Sequence, residues 1–141
     1  MKLINAFVLG FTLTLIAACG GNNPLVGKWK LDGVNIDKAV QSFPAEQREF
    51  AKTMMKSAFE QVKGKMILTF EKEGKFTVES PGQGGKKNVE NGKWTLSSDK
   101  KKLTTDVAGR KETISVIENT DKRLVLGMAA QGQEMEMTFV H

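Results

Sequence analysis

Leu124-Val125-Leu126-Gly127-Met128-Ala129-Ala130-Gln131-Gly132-Gln133-Glu134-Met135-Glu136-Met137-Thr138-Phe139 places large apolar side chains at every second position on both sides of a central Gln-Gly-Gln. Leu124, Leu126 and Met128 share one face, and Met135, Met137 and Phe139 alternate with Glu134, Glu136 and Thr138. Successive side chains of an extended chain point to opposite faces, so each half reads as a strand with one apolar and one solvated side. The short glycine-containing link makes the pair a hairpin. A lone hairpin is marginal in water, so this one needs further strands to cover its apolar face.

The same period runs back along the chain. Ile114 and Val116 mark one strand, Leu103 to Val107 another, and Trp94 and Leu96 oppose Lys93 and Thr95 on a third. Phe76 and Val78 alternate with Thr77 and Glu79, and before the Glu73-Gly74 turn Met66, Leu68 and Phe70 alternate with Ile67, Thr69 and Glu71. Val26 to Gly33 puts Trp29 and Leu31 on one face and Lys28, Lys30 and Asp32 on the other. Asn91-Gly92 is a strong hairpin signal, but a tight turn there would cut off Lys86 to Glu90 with a single apolar residue. A bulge or kink inside one strand from about Lys87 to Ser97 is therefore expected.

One segment breaks the period. From Pro44 to Lys63, Phe50, Met54, Ala58 and Val62 recur at helical spacing with Ala51, Met55 and Phe59 beside them. Pro44 suits a first helical turn, Glu46 and Glu49 suit its positive end, and Lys56, Lys63 and Lys65 fall toward the other. The expectation is a mainly β protein: an eight-stranded antiparallel up-and-down barrel with one helix inserted between strands 1 and 2, since closure removes the exposed edges of an open sheet.

The N-terminal residues read differently. Met1-Lys2 followed by the uncharged, mainly apolar stretch Leu3 to Ile16 is a secretory signal pattern, too short and wrongly flanked for a membrane span. Ile16-Ala17-Ala18-Cys19 resembles the bacterial lipobox. That resemblance implies removal of residues 1–18 and acylation of Cys19 with palmitate-type chains, which also accounts for a single cysteine in an exported protein. Two or three acyl chains anchor durably. The expected organisation is a signal peptide at 1–18, a flexible tether at 19–25 carrying lipidated Cys19, and a barrel domain at 26–141. By the same resemblance, Gly20 in place of a retention aspartate favours the outer membrane, facing the periplasm, where the cell has two membranes.

Gly27-Lys28-Trp29 resembles the Gly-x-Trp signature of lipocalins and other calycins, and Gly92-Lys93-Trp94 is similar to the mid-domain pattern of small bacterial lipocalin-like lipoproteins. Gly27, Trp29, Gly92 and Trp94 are thus the signature residues. The lipocalin Thr-Asp-Tyr motif would fall at Thr120-Asp121, where Lys122 replaces the tyrosine, and no arginine follows Arg123. The resemblance therefore points to the lipocalin-like lipoproteins, with Arg123 as a candidate partner for the Trp29 ring.

Composition narrows the function. The chain has one histidine, one cysteine and no tyrosine, so the usual nucleophile and base constellations cannot be assembled, and a non-enzyme is expected. Glu134 and Glu136 read as an outward, solvated pair. Met54-Met55 and Met135-x-Met137 lack the histidine or cysteine companions of a soft-metal site, so neither metal nor cofactor is expected. The net charge of +5 is scattered without interleaved aromatics, which argues against nucleic acid.

Strand alternation returns the turns at Lys72-Glu73-Gly74, Asp99 to Lys102 and Asn119 to Arg123 to the end at which the tether enters, giving a basic end toward the membrane. The helix and the turns Pro81 to Gly85 and Gln131 to Gln133 would surround the other end. A barrel of this size either fills with side chains or holds one small ligand. Two classes remain open. One is a carrier or sensor of a small hydrophobic ligand, touched by Met54, Met55, Phe59, Met128 and Met135. The other is a protein-interaction module with a filled barrel, such as a periplasmic inhibitor or an accessory subunit of an envelope complex.

Overall fold

The computed structural model describes residues 23–130 and 132–141. Residues 1–22, with the signal segment and Cys19, and Gln131 lie outside the described residues. Eight strands follow one another: β1 (Gly27–Asn35), β2 (Ile67–Phe70), β3 (Lys75–Pro81), β4 (Lys87–Leu96), β5 (Lys102–Val107), β6 (Arg110–Asn119), β7 (Arg123–Ala130) and β8 (Gln133–Val140). Each pairs antiparallel with the next, and β8 returns to β1, closing the barrel. The expected up-and-down architecture is what forms. Among the described residues, the strands and the core residues fall between Leu25 and Val140.

Two bulges tune the wall. The β1–β8 register shifts between Leu31 and Gly33, so Leu31 faces Phe139 while Val34 faces Met137. The extra residue reverses the alternation and turns Val34 inward where period two alone would have turned Gly33. A second shift between Val116 and Glu118 leaves Ile117 half exposed outside. No shift occurs at Asn91-Gly92. Phe76 pairs with Gly92 and Thr77 with Asn91 in unbroken sequence, so β4 is the single long strand expected but without the expected bulge. Gly92 answers to crowding instead: a Cβ there would lie 2.2 Å from the Asp106 carbonyl oxygen.

The long helix is α2 (Arg48–Val62), preceded by a 3-10 turn at Ala45–Gln47 and by a short helix, α1 (Asp37–Gln41), which the sequence reading did not separate. A small core of Ile36, Val40 and Ala51, with Phe43, Met55, Val34 and Met135 around it, fixes the helices at the β1–β8 side of the barrel. Polar contacts reinforce that placement. Lys38 lies 3.4 Å from Glu134 and 3.5 Å from Glu136, Lys52 reaches Asp37 at 3.2 Å, and Gln133 donates to Ser42 at 3.0 Å. Glu134 and Glu136 are therefore outward-facing but partnered, and their negative charge, with the Glu134 hydrogen bond foremost, raises the Lys38 ammonium above its ordinary pKa.

The end opposite the helices is solid. Trp29, Phe70, Phe76, Trp94, Leu103, Leu124 and Phe139 are all buried there. The Phe70 and Phe76 rings lie 4.9 Å apart, and Trp94 meets Phe70 edge-on at 5.6 Å. Each indole N–H finds a carbonyl: Trp29 donates to Leu25 at 2.8 Å and Trp94 to Glu71 at 3.0 Å. Leu25 is itself fully buried, and Asn23 Oδ1 accepts its amide at 3.1 Å.

Trp29 does not pair with Arg123. The His141 ring stacks on it at 3.9 Å and donates from Nδ1 to the Lys28 carbonyl at 2.9 Å, while Arg123 meets Glu118 at 3.7 Å. Thr120 instead caps the β6–β7 corner, its hydroxyl accepting the Arg123 amide at 3.0 Å. Gly27, at φ +145°, is where the stack needs a bare backbone, since a Cβ would lie 2.9 Å from His141 Cε1.

Removing the stacked ring with His141→Ala should cost about 1 kcal/mol, and Gly27→Ala, which adds backbone strain, about 1–3 kcal/mol. The double variant should be less destabilised than the sum by at least ~0.5 kcal/mol, measured by urea denaturation; strict additivity would mean that the glycine and the ring do not compete for space.

Candidate functional site

Above the aromatic floor the inward side chains thin out. Met66 just before β2, Leu68 on β2, Phe76 and Val78 on β3, Thr105 and Val107 on β5, Ile114 on β6, Leu126 and Met128 on β7 and Met137 and Phe139 on β8 surround a cavity of about 250 Å³. Strand alternation explains who is there. On β5 the inward row is Leu103, Thr105, Val107, so the side chain one step above the floor is a small buried hydroxyl and the next a small aliphatic group. On β7 and β8 the corresponding rows are Leu126 then Met128, and Met137 then Met135, and the unbranched thioethers adapt to an irregular space.

The rim is charged. Glu90 on β4 and Arg110 and Glu112 on β6 also line this cavity. Glu90 shares its face with Gly92 and Trp94, and Arg110 and Glu112 share theirs with Ile114. Arg110 lies 3.6 Å from Glu90, and both side chains keep substantial solvent exposure, so the pair contributes about 1 kcal/mol or less. Glu112 also borders a shallower adjoining hollow with Met128, Met135 and Met137.

The expected ligand-contact residues divide. Met128 lines the cavity, and Met135 lines the adjoining hollow while supporting the small helix core. None of the three helix residues reaches the cavity wall. Phe59 packs at the edge of the main core, Met55 belongs to the small core, and Met54 is 58% exposed. The helices sit to one side of the mouth, against β1 and β8, so the wall is built from the strands and from Met66 just before β2. Glu90, Arg110 and Glu112 were missed, although counting back by twos from Trp94 and from Ile114 reaches all three.

At the other end, Lys100, Lys101 and Lys102 in the β4–β5 turn line an open surface groove with Pro24, Asp99 and Ile117. Ser97 donates to the Asp99 carboxylate, and the Lys101 amide does so at 3.0 Å. The Ser97 bond first, then that amide and the neighbouring lysines, hold the Asp99 pKa below its ordinary value. No helix among the described residues is long and apolar enough to cross a membrane, and no group of three or more potential metal ligands occurs among them.

An up-and-down barrel of eight strands, closed by aromatic side chains at one end and hollow at the other, is a lipocalin-like barrel. A sequence profile of the Lipocalin-like domain matches residues 25–126, and the chain belongs to that family. Among solved structures, a lipocalin-like protein from Bacteroides uniformis is similar at 15% identity, with 83% of this chain and 97% of that one covered and a TM-score of 0.54. An uncharacterized protein from Bacteroides eggerthii is similar at 15% identity, with 82% and 98% covered and a TM-score of 0.52. At such identities the likeness concerns the fold. No curated protein matches the sequence.

If the upper barrel is hollow, enlarging a wall residue there should be tolerated. Val78→Phe or Val107→Phe should change stability by less than ~1 kcal/mol, whereas Leu103→Phe or Leu124→Phe in the filled floor should cost about 1–3 kcal/mol. Denaturation midpoints of the four variants make the comparison; equal costs at both levels would show that the cavity closes in solution.

Proposed function

We propose that this protein is a lipid-anchored, non-catalytic binding protein of the cell envelope that holds a small apolar ligand in its upper barrel. The observation that carries this reading is the cavity of about 250 Å³, walled by methionine, valine, leucine and phenylalanine. A methylene occupies about the volume share of a liquid water, ~30 Å³. The space therefore suits an alkyl chain of about eight carbons or a compact ring of similar bulk.

Anchoring is supported by the polarity of the barrel. Leu25, buried beside Trp29 in the closed end, fixes the point from which the chain leads back toward Cys19. The β2–β3, β4–β5 and β6–β7 turns lie at that same end, where Lys72, Lys100, Lys101 and Lys122 offset Glu71, Glu73, Asp99 and Asp121, and Lys75, Lys102 and Arg123 at their edges leave a positive excess. Near an anionic leaflet each such cation adds about 1 kcal/mol. The charged rim of the cavity then faces away from the lipid. With Gly20 rather than an acidic residue after the acylated cysteine, the outer membrane, periplasmic side, is the location this reading assigns in a cell with two membranes.

A second reading is favoured by one feature of α2. Phe50 is 72% and Met54 58% exposed, four residues apart and so on one helix face, which suits a protein partner more than a ligand.

Saturable binding of an environment-sensitive apolar fluorophore should weaken at least about tenfold, or ~1.4 kcal/mol, in the Val78→Phe/Val107→Phe double variant. It should be unchanged in Phe50→Asp/Met54→Asp; loss in the helix variant with retention in the cavity variant would favour the interaction reading. Membrane fractionation should place the chain in the envelope through Cys19, with Cys19→Ser releasing it. Reversing Lys100, Lys101 and Lys102 to Glu should reduce sedimentation of the unlipidated chain with anionic liposomes, and undiminished sedimentation would remove the basic end from the account.

A further inference from the structure

The charged side chains that line the cavity are unequal in sign. Glu90, Arg110 and Glu112 leave one negative charge in excess at the rim. Arg110 is already engaged by Glu90 at 3.6 Å. Among the described residues no ion pair involves Glu112. Directly across the β5–β6 ladder from Glu112 stands Thr105, a side chain only 5% exposed on the cavity wall. Of the lysines nearby in sequence, Lys87 lies beside Glu79 at 3.7 Å, and Lys111 occupies the opposite, outward face of β6.

We propose that the ligand is an amphiphile with a cationic, hydrogen-donating head, a primary ammonium on an apolar tail, and that the Glu112 carboxylate receives that head while the tail descends toward Phe76 and Phe139. This deepens the reading of the cavity as a ligand site and rests on it. A carboxylate head would meet two carboxylates at the rim and an arginine whose charge Glu90 already balances, so it would have to break that pair to bind. An ammonium meets a carboxylate that forms no ion pair among the described residues, the nearby Arg110 being engaged by Glu90, and its remaining N–H groups have water and the Thr105 hydroxyl as further acceptors. The site is the reverse of the molecule as a whole, which carries a net charge of +5. An acidic rim on a basic protein selects against the anionic amphiphiles that the rest of the surface would attract.

The test compares three probes with the same eight-carbon tail, n-octylammonium, n-octanol and octanoate, all below their micellar range. They are titrated calorimetrically into the chain from residue 19 onward carrying Cys19→Ser, so that no acyl chain competes. Octylammonium should bind about tenfold more tightly than octanoate, with octanol between them. For a partly solvated ion pair, Glu112→Gln should weaken octylammonium about fivefold and leave octanol within twofold. Octanoate binding as tightly as octylammonium, or an octylammonium affinity indifferent to Glu112→Gln, overturns the assignment of the head while the cavity reading stands. Binding of none of the three overturns both.

Discussion

Two indole N–H groups lie in the closed end of the barrel, and neither can be left without an acceptor. A buried, unpaired donor of this kind costs about 1–3 kcal/mol, more than most single contacts return. Trp29 solves the problem by donating to Leu25, which draws the chain preceding β1 across the floor, and Trp94 by donating to Glu71, which holds the β2–β3 turn under β4. The Gly74 carbonyl in turn accepts the Trp94 amide at 2.9 Å. The floor is thus built around two hydrogen bonds to backbone that lies outside the strands proper. Once they are made, the surrounding aromatic and leucine side chains have fixed walls against which to pack.

The two Gly-Lys-Trp triplets both serve this end, on strands that run in opposite directions. Gly27 and Gly92 each stand two residues before a tryptophan, so on the inward face of the same strand, and each lies where another group presses in: the His141 ring on one, the β5 backbone and Val107 on the other. A strand carrying a tryptophan and then another large inward residue would hold its neighbours off. At Gly92, above its indole, the bare backbone brings β5 against β4, and at Gly27, below its indole, it admits the His141 ring.

The strands were legible because period two is a local signal: Leu124 to Phe139, or Phe76 and Val78, announce their inward faces within a few residues. The long helix was legible for the same reason. Three things were not. The short helix Asp37–Gln41 spans too few residues to show helical spacing, and its position depends on Glu134, Glu136 and Gln133 from the far end of the chain. The partner of Trp29 is His141, a contact between opposite ends of the sequence that no periodicity reports, whereas Arg123 suggested itself only through a family pattern this chain already departs from. The off-centre seat of the helices follows from the bulge after Leu31, which turns Val34 toward them. Without it Met54 and Phe59 would be reasonable candidates to roof the mouth.

The cavity rim was overlooked for a more instructive reason. Inward positions were recognised by their apolar side chains, so a charged residue on the same face was passed over even where the count by twos required it. Lower in the barrel the inward row is apolar except for buried Thr105, and at Glu90, Arg110 and Glu112 it becomes ionic while the alternation of the backbone continues unchanged. Folding gains nothing from this. Apolar residues at these three positions would extend the core upward and close the hollow, and the Glu90–Arg110 pair is too exposed to contribute much in compensation. A pattern kept by the backbone and broken by the side chains, on adjoining strands of one cavity, is where a sequence departs from what stability alone would choose. The departure is confined to the end opposite the β2–β3, β4–β5 and β6–β7 turns, an end that carries Lys86, Lys87 and Lys111 as well. Its unpaired carboxylate, Glu112, lies at the opening of a cavity lined from the inward faces of seven strands, at the end away from Leu25 and the closed floor.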